Sequence, residues 1–185
     1  MKRTLSCSIR PRRVRAAVSA LAIVSLLLLG LLPTTVVAAG SEPFSPQAGP
    51  IVRCEPASAV GILGGEDLIV DLYVENVVGL NALDVRISYF DTSVAQVVDK
   101  GPATGVQIEP LYTFLQPDWV ARNTADNTGG TMRYAATQTN PNLPVDGSGP
   151  VARVTFHGLQ AGYFVMTWGT VELSDVDGRL IPATA

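Results

Sequence analysis

Glu66-Asp67-Leu68-Ile69-Val70-Asp71-Leu72-Tyr73-Val74-Glu75-Asn76-Val77 is the stretch whose reading decides the fold. Leu68, Val70, Leu72 and Val74 recur at every second position, while Asp67, Asp71, Tyr73 and Glu75 fall between them. A period of two is the signature of a strand with one buried and one wetted face. After a turn at Val78-Gly79 the pattern resumes, with Leu83, Val85 and Ile87 inward and Asp84, Arg86 and Ser88 outward. Adjacency and a short turn predict that these two strands form a hairpin.

Further along, strands are expected at Ala95 to Val98, Gln107 to Phe114, Trp119 to Asn123, Thr131 to Thr137, Val151 to His157 and Tyr163 to Leu173. The chain then returns through Leu180 after a turn at Asp175 to Gly178. Asn123 to Gly130 and the Pro- and Gly-rich Asn140 to Pro150 read as surface loops, because their residues adopt tight-turn backbone at little steric cost. No long stretch has helical spacing and no internal repeat is visible. The expectation is an all-β chain of about nine strands, beginning near Ile51 and arranged as two sheets face to face.

Ahead of this domain, Lys2, Arg3, Arg10, Arg12, Arg13 and Arg15 precede a charge-free run from Ala16 to Ser41. That order reads as a signal peptide over residues 1–39, with Val37-Ala38-Ala39 placing cleavage before Gly40; an uncleaved anchor is the alternative. Residues 40–50, with Pro43, Pro46 and Pro50, read as an extended tether, and 51–185 as one domain. The leader holds six of the 13 Lys plus Arg and no acid, so residues 40–185 keep seven bases against 16 acids, a formal charge of −9. Such a surface repels phosphate backbones, which argues against nucleic acid and anionic lipid as partners.

Cys7 is expected to leave with the leader, so no internal disulfide is expected at Cys54. Arg53 before it does not suit a lipidation signal, and a half-buried structural thiol is the expected role. His157 is the single histidine, which leaves little from which to build a hydrolase, and no Cys/His cluster offers zinc ligands. Asp175-Val176-Asp177-Gly178 lacks the further acids of a calcium loop and reads as a tight turn. No cofactor, no metal and no catalytic residue are expected. Direct polysaccharide binding stays open, since Trp119, Trp168, Tyr73, Tyr112 and Tyr163 are able to stack on sugar rings if coplanar and exposed. Trp168 shares a strand face with Phe164 and Met166, which places it in the core, whereas Trp119, near a strand start, is a candidate for exposure.

The order of Gly65 to Asn76, Leu83-Asp84-Val85-Arg86-Ile87-Ser88-Tyr89 and Asp91-Thr92-Ser93-Val94 resembles a cohesin module. In that family an apolar strand ends in Asn, a second strand ends in Ser-Tyr, and an Asp-Pro turn leads to Val. Gly130 to Ala135, Gly149 to Phe156 and Ser174 to Gly178 match later pieces, so the resemblance covers nearly all of 51–182. Thr92 replaces the usual proline and Phe90 is an extra residue. The resemblance implies a nine-stranded jelly-roll β-sandwich that grips a dockerin carried by another protein, the dockerin supplying its own calcium, in extracellular complexes that degrade polysaccharide. It also implies a binding face of Asp84, Arg86 and Ser88 on one strand and Arg133, Ala135 and Thr137 on another. Asp84 alone matches a polar contact common in the family, and Ala82 stands where an Asn is frequent. Surface attachment without an enzyme is a third possible use of such a domain.

Overall fold

The computed structural model describes residues 49–57 and 61–185; the expected leader and all but the end of the tether lie outside them. Ten strands follow in chain order: β1 (Ile51–Glu55), β2 (Asp67–Leu80), β3 (Ala82–Phe90), β4 (Ala95–Val97), β5 (Glu109–Pro110), β6 (Trp119–Asp126), β7 (Thr131–Thr137), β8 (Val145–Gly158), β9 (Met166–Ser174) and β10 (Leu180–Ile181). They make two five-stranded sheets. One is ordered β1-β2-β8-β4 with β5 also on β8, and the other β10-β9-β3-β7-β6. All named strand pairs are antiparallel.

One core lies between the sheets, and the period-two readings supply it from both sides. Val70, Leu72 and Val74 of β2 and Val154 and Phe156 of β8 meet Leu83, Val85 and Ile87 of β3 and Met132, Tyr134 and Ala136 of β7, all buried. Phe156 packs on Phe90 with ring centroids 5.6 Å apart and on Phe164 at 4.4 Å, tying β8 to β3 and to the entry of β9. Cys54 is buried rather than half-buried, because β1 points it inward beside Leu72.

The expected hairpin between the second and third strands is not formed. β2 pairs with β1 and β8, whereas β3 pairs with β7 and β9 in the opposite sheet. At the end of β2 the ladder with β8 is interrupted by irregularities around Val77, with Asn76 and Gly79 at φ 57° and 69°. The Asn76 and Gly79 amides donate to the Ser148 hydroxyl and the Asp146 carboxylate. Val77 and Leu80 stay buried through this bend, and the Asn81 amide then donates to Ser174 of β9 at 2.8 Å. The chain thus crosses from one sheet to the other. Alternation shows which side of each strand is apolar, but two apolar faces are buried equally well side by side or opposed.

Other boundaries shift for local reasons. The expected strand over Gln107 to Phe114 contracts to Glu109–Pro110, since the Asn123 side chain takes both the amide and the carbonyl of Ile108, at 2.9 and 2.8 Å, in place of a ladder partner. Strand β8 extends back to Val145 through the expected loop, its register with β2 broken near Tyr73 and Val77. Strand β9 starts at Met166 rather than Tyr163, and β6 runs on to Asp126. The Asp126 carboxylate caps the turn that follows, accepting from Thr128 and Gly129. With the two-residue β5 and β10 counted, ten strands lie among the described residues, against about nine expected.

Gly130 closes that turn at φ 67°, where a Cβ would stand 2.4 Å from the Phe90 carbonyl oxygen. Left-handed backbone and a clash with fixed backbone both oppose any side chain there. Gly130→Ala is expected to destabilise the domain by about 1–3 kcal/mol, seen as a lower urea midpoint at unchanged slope.

Candidate partner-binding face

Strands β3 and β7 are neighbours, with Asp84 opposite Ala135, Arg86 opposite Arg133 and Ala82 opposite Thr137. Their inward residues fill the core, so the alternate set faces away from it. All six expected residues, Asp84, Arg86, Ser88, Arg133, Ala135 and Thr137, are therefore brought onto the outer face of one sheet. Strand β3 is its central strand, which gives the face a rigid floor.

Within the face the side chains have unequal parts. The Arg133 guanidinium grips Asp84 through two hydrogen bonds, Nε to Oδ1 at 3.0 Å and Nη2 to Oδ2 at 2.5 Å. Arg86 adds Nη2 to Oδ2 at 3.2 Å. Asp84 is the most covered of the three, with its side chain 19% exposed against 36% for Arg133 and 45% for Arg86. It thus acts as a pin between two guanidinium groups, and the exposed surface of this cluster is mainly theirs. Such a fork fixes long side chains before a partner arrives and so lowers the entropy cost of docking.

The two hydroxyls are turned to the backbone. Ser88 Oγ lies within hydrogen-bond reach of the Thr167 and Trp168 carbonyls, at 3.2 and 3.1 Å, where the β3–β9 register is irregular. Thr137 Oγ1 donates to the Gln138 carbonyl at 3.2 Å. Ala135 is 8% exposed, because its methyl sits between the longer side chains of Asp84 and Arg122 in the adjoining strands.

The Asp84 carboxyl is held below its ordinary value of 3.8, first by the hydrogen bonds from Arg133, against the opposing effect of partial burial, with Arg86 adding to the lowering. A carboxyl depressed in the folded state contributes stability that is present above the unfolded value and is lost as pH falls through the folded one. Asp84→Asn is therefore expected to be slightly less stable than the parent at pH 7. The difference should be small, because exposed pairs contribute little; it should begin to shrink below about pH 4 and be lost only as pH falls through the lower folded value. Urea midpoints at three pH values check this; a gap that persists unchanged to low pH contradicts it.

Position in the sheet also adds residues that periodicity alone does not gather. Strand β6 lies beside β7 at the sheet edge and sets Trp119 opposite Thr137, Arg122 opposite Ala135 and Thr124 opposite Arg133. Trp119 is 64% exposed, whereas Trp168 packs against the core, as their surroundings in the sequence predict. A shallow groove of about 500 Å³ runs past Arg86, Ser88, Thr124, Asp126, Arg133 and Thr170. Strand order is the missing signal, since β6 and β9 become part of this face only through pairing.

On the outer face of the other sheet the basic side chains are all paired with acids, which outnumber them. Arg153 holds Asp71 through two bonds of 2.7 and 2.9 Å, and Arg53 meets Glu75 and Glu55 while lying over the Tyr73 ring. His157 pairs with Asp67 at 2.7 Å, and among the described residues no serine hydroxyl is hydrogen-bonded to it. At the far turn, Asp175 Oδ1 accepts from the amides of Asp177 and Arg179, which gives that carboxylate a turn-closing role.

No family model matches the sequence, and no curated protein matches it. Solved structures do match. A type II cohesin domain from the cellulosome of Acetivibrio cellulolyticus aligns with a TM-score of 0.56 at 14% identity, over 72% of this chain and 88% of that one. A non-cellulosomal cohesin from the archaeon Archaeoglobus fulgidus aligns at 0.54 and 16%, over 74% and 86%. A type I cohesin–dockerin complex from Clostridium thermocellum aligns at 0.55 and 11%, over 74% and 94%. Likeness at such low identity is a likeness of fold: two stacked antiparallel sheets joined in this order make the described domain a β-sandwich with the cohesin fold.

Proposed function

We propose that this chain is an exported, non-catalytic binding module that recognises a dockerin through the outer face of the β10-β9-β3-β7-β6 sheet. Through that dockerin it joins a second protein to an extracellular or surface complex, with polysaccharide degradation as the setting. The observation that carries the reading is the combination of a cohesin fold with an open, pre-ordered sheet face at Asp84, Arg86 and Arg133. Solved structures of the same fold include complexes with dockerins. A flat face with a polar fork suits docking of a macromolecule, whereas chemistry on a small substrate calls for a deep, enclosed site. The calcium of such a complex resides in the dockerin.

Calorimetric titration of the protein with a panel of type I and type II dockerins, with calcium and again after chelation, tests this. Micromolar or tighter binding to at least one dockerin, abolished by chelator, is the expected result. Failure of every dockerin to bind in calcium removes the proposal and leaves surface attachment or polysaccharide binding in its place.

A further inference from the structure

Seven Lys and Arg side chains occur among the described residues. Five of them, Arg53, Arg86, Arg133, Arg153 and Arg179, are in ion pairs with carboxylates. The other two, Lys100 and Arg122, form none among the described residues, and they line the same groove of about 460 Å³. Among the described residues no carboxylate lines this groove. In a domain where acids outnumber bases by more than two to one, two unpaired cations sharing an acid-free groove make a local positive site, able to attract an anion in spite of the overall charge.

The walls of the groove are built rather than loose. Asp99, the acid next to Lys100, turns its Oδ1 onto the amides of Gly101 and Gln107, at 3.1 and 3.0 Å, and so closes the loop instead of neutralising the lysine. The loop is fastened to β6 by Ala125 N to Val106 O at 2.8 Å and by the Asn123 side chain on Ile108. Among the described residues Arg122 has only the neighbouring Ala121 carbonyl, at 3.3 Å. Tyr112, 57% exposed, supplies an aromatic ring to the same groove.

We infer that this groove binds a saccharide bearing a carboxylate, with Lys100 and Arg122 meeting the acid and Tyr112 packing on the sugar ring. Three observations select this ligand. An exposed aromatic ring offers the flat apolar surface that the C–H face of a pyranose covers. The groove has the volume of a small-molecule site, sufficient for one or two sugar units. An extended acidic peptide would add to a free strand edge, but the edge of β6 is already occupied at Asn123 and Ala125 by the 106–108 segment. The net charge of the domain narrows the class further: a dense polyanion is repelled at long range, whereas a mostly neutral chain with isolated uronic acid branches meets the two cations without that penalty.

The site adjoins the proposed docking face through Arg122 of β6, so its test reads sugar binding directly and does not use dockerin affinity. The probes are xylotetraose carrying one methylglucuronic acid branch, unsubstituted xylotetraose, and an Asp/Glu hexapeptide, each titrated into the full chain. The branched sugar is expected to bind at least tenfold more tightly than either of the others. The double variant Lys100→Gln/Arg122→Gln should remove that preference, and Tyr112→Ala should weaken both sugars. All three side chains are exposed, and an unchanged thermal midpoint and an unchanged circular dichroism spectrum verify that each variant is folded. Equal affinity for the two tetraoses, no binding of either, tighter binding of the peptide, or a preference that survives the double variant would each overturn the inference.

Discussion

Asp84→Ala combined with Arg86→Ala is expected to weaken dockerin binding by about 30-fold or more, on the order of 2 kcal/mol, and to leave the thermal midpoint almost unchanged. The two effects separate because the same ion pair contributes differently to folding and to docking. In the unbound protein Asp84 and both arginines remain partly hydrated, and exposed pairs of this kind contribute about 0–1 kcal/mol. Under a partner the fork loses its water, and a missing charge then leaves its counterpart buried and unpaired. Removing both members keeps the net charge of the face constant, so a loss of affinity reports lost contacts rather than altered long-range steering. Arg133 is expected to lose its fixed orientation in this variant, since both of its carboxylate bonds end on Asp84. Unaltered affinity, measured by calorimetry against the dockerin that the parent binds, removes this patch from the interface.

Phe156→Ala should have the largest effect on stability, about 3–5 kcal/mol. Its ring is fully buried, belongs to β8 in one sheet, and touches Phe90 of β3 in the other as well as Phe164. Truncation therefore opens a cavity at the seam between the sheets, where neither backbone is able to close inward without breaking its own ladder. For a domain of ordinary stability, about 5–15 kcal/mol, that is a large share of the total. Ile69→Ala is the matched control. Ile69 belongs to β2, beside β8, but is 50% exposed on the outer face, and its loss is expected to cost under about 0.5 kcal/mol. Urea unfolding of both variants checks the contrast. Near-equal losses would mean that the three-phenylalanine cluster is not what joins the sheets.

Much of this architecture is legible in the residues. The alternation of Leu68, Val70, Leu72 and Val74, and again of Leu83, Val85 and Ile87, states which side of each strand is buried, and every one of these residues is packed in or against the core. The same parity turns Asp84, Arg86, Arg133 and Ala135 outward. Register is what couples them: Arg86 faces Arg133 across β3 and β7, and Asp84, two residues back along β3, becomes the counter-ion of both. The roles of Ser88 and Thr137 are illegible in a linear reading, because their oxygens serve backbone groups whose positions follow from an irregular ladder and a strand end.

By itself the sequence determined the all-β class and the inward and outward sets of the main strands, and it holds a single histidine and no Cys/His cluster. Only the tertiary structure decided that β2 and β3 stand in opposite sheets, that β6 borders the Asp84 face, and that Lys100 and Arg122 line one groove. The reason is the range of the forces involved. A side chain's face follows from a two-residue backbone period that is local, whereas strand neighbours and register follow from burying all apolar faces at once, which no single segment encodes.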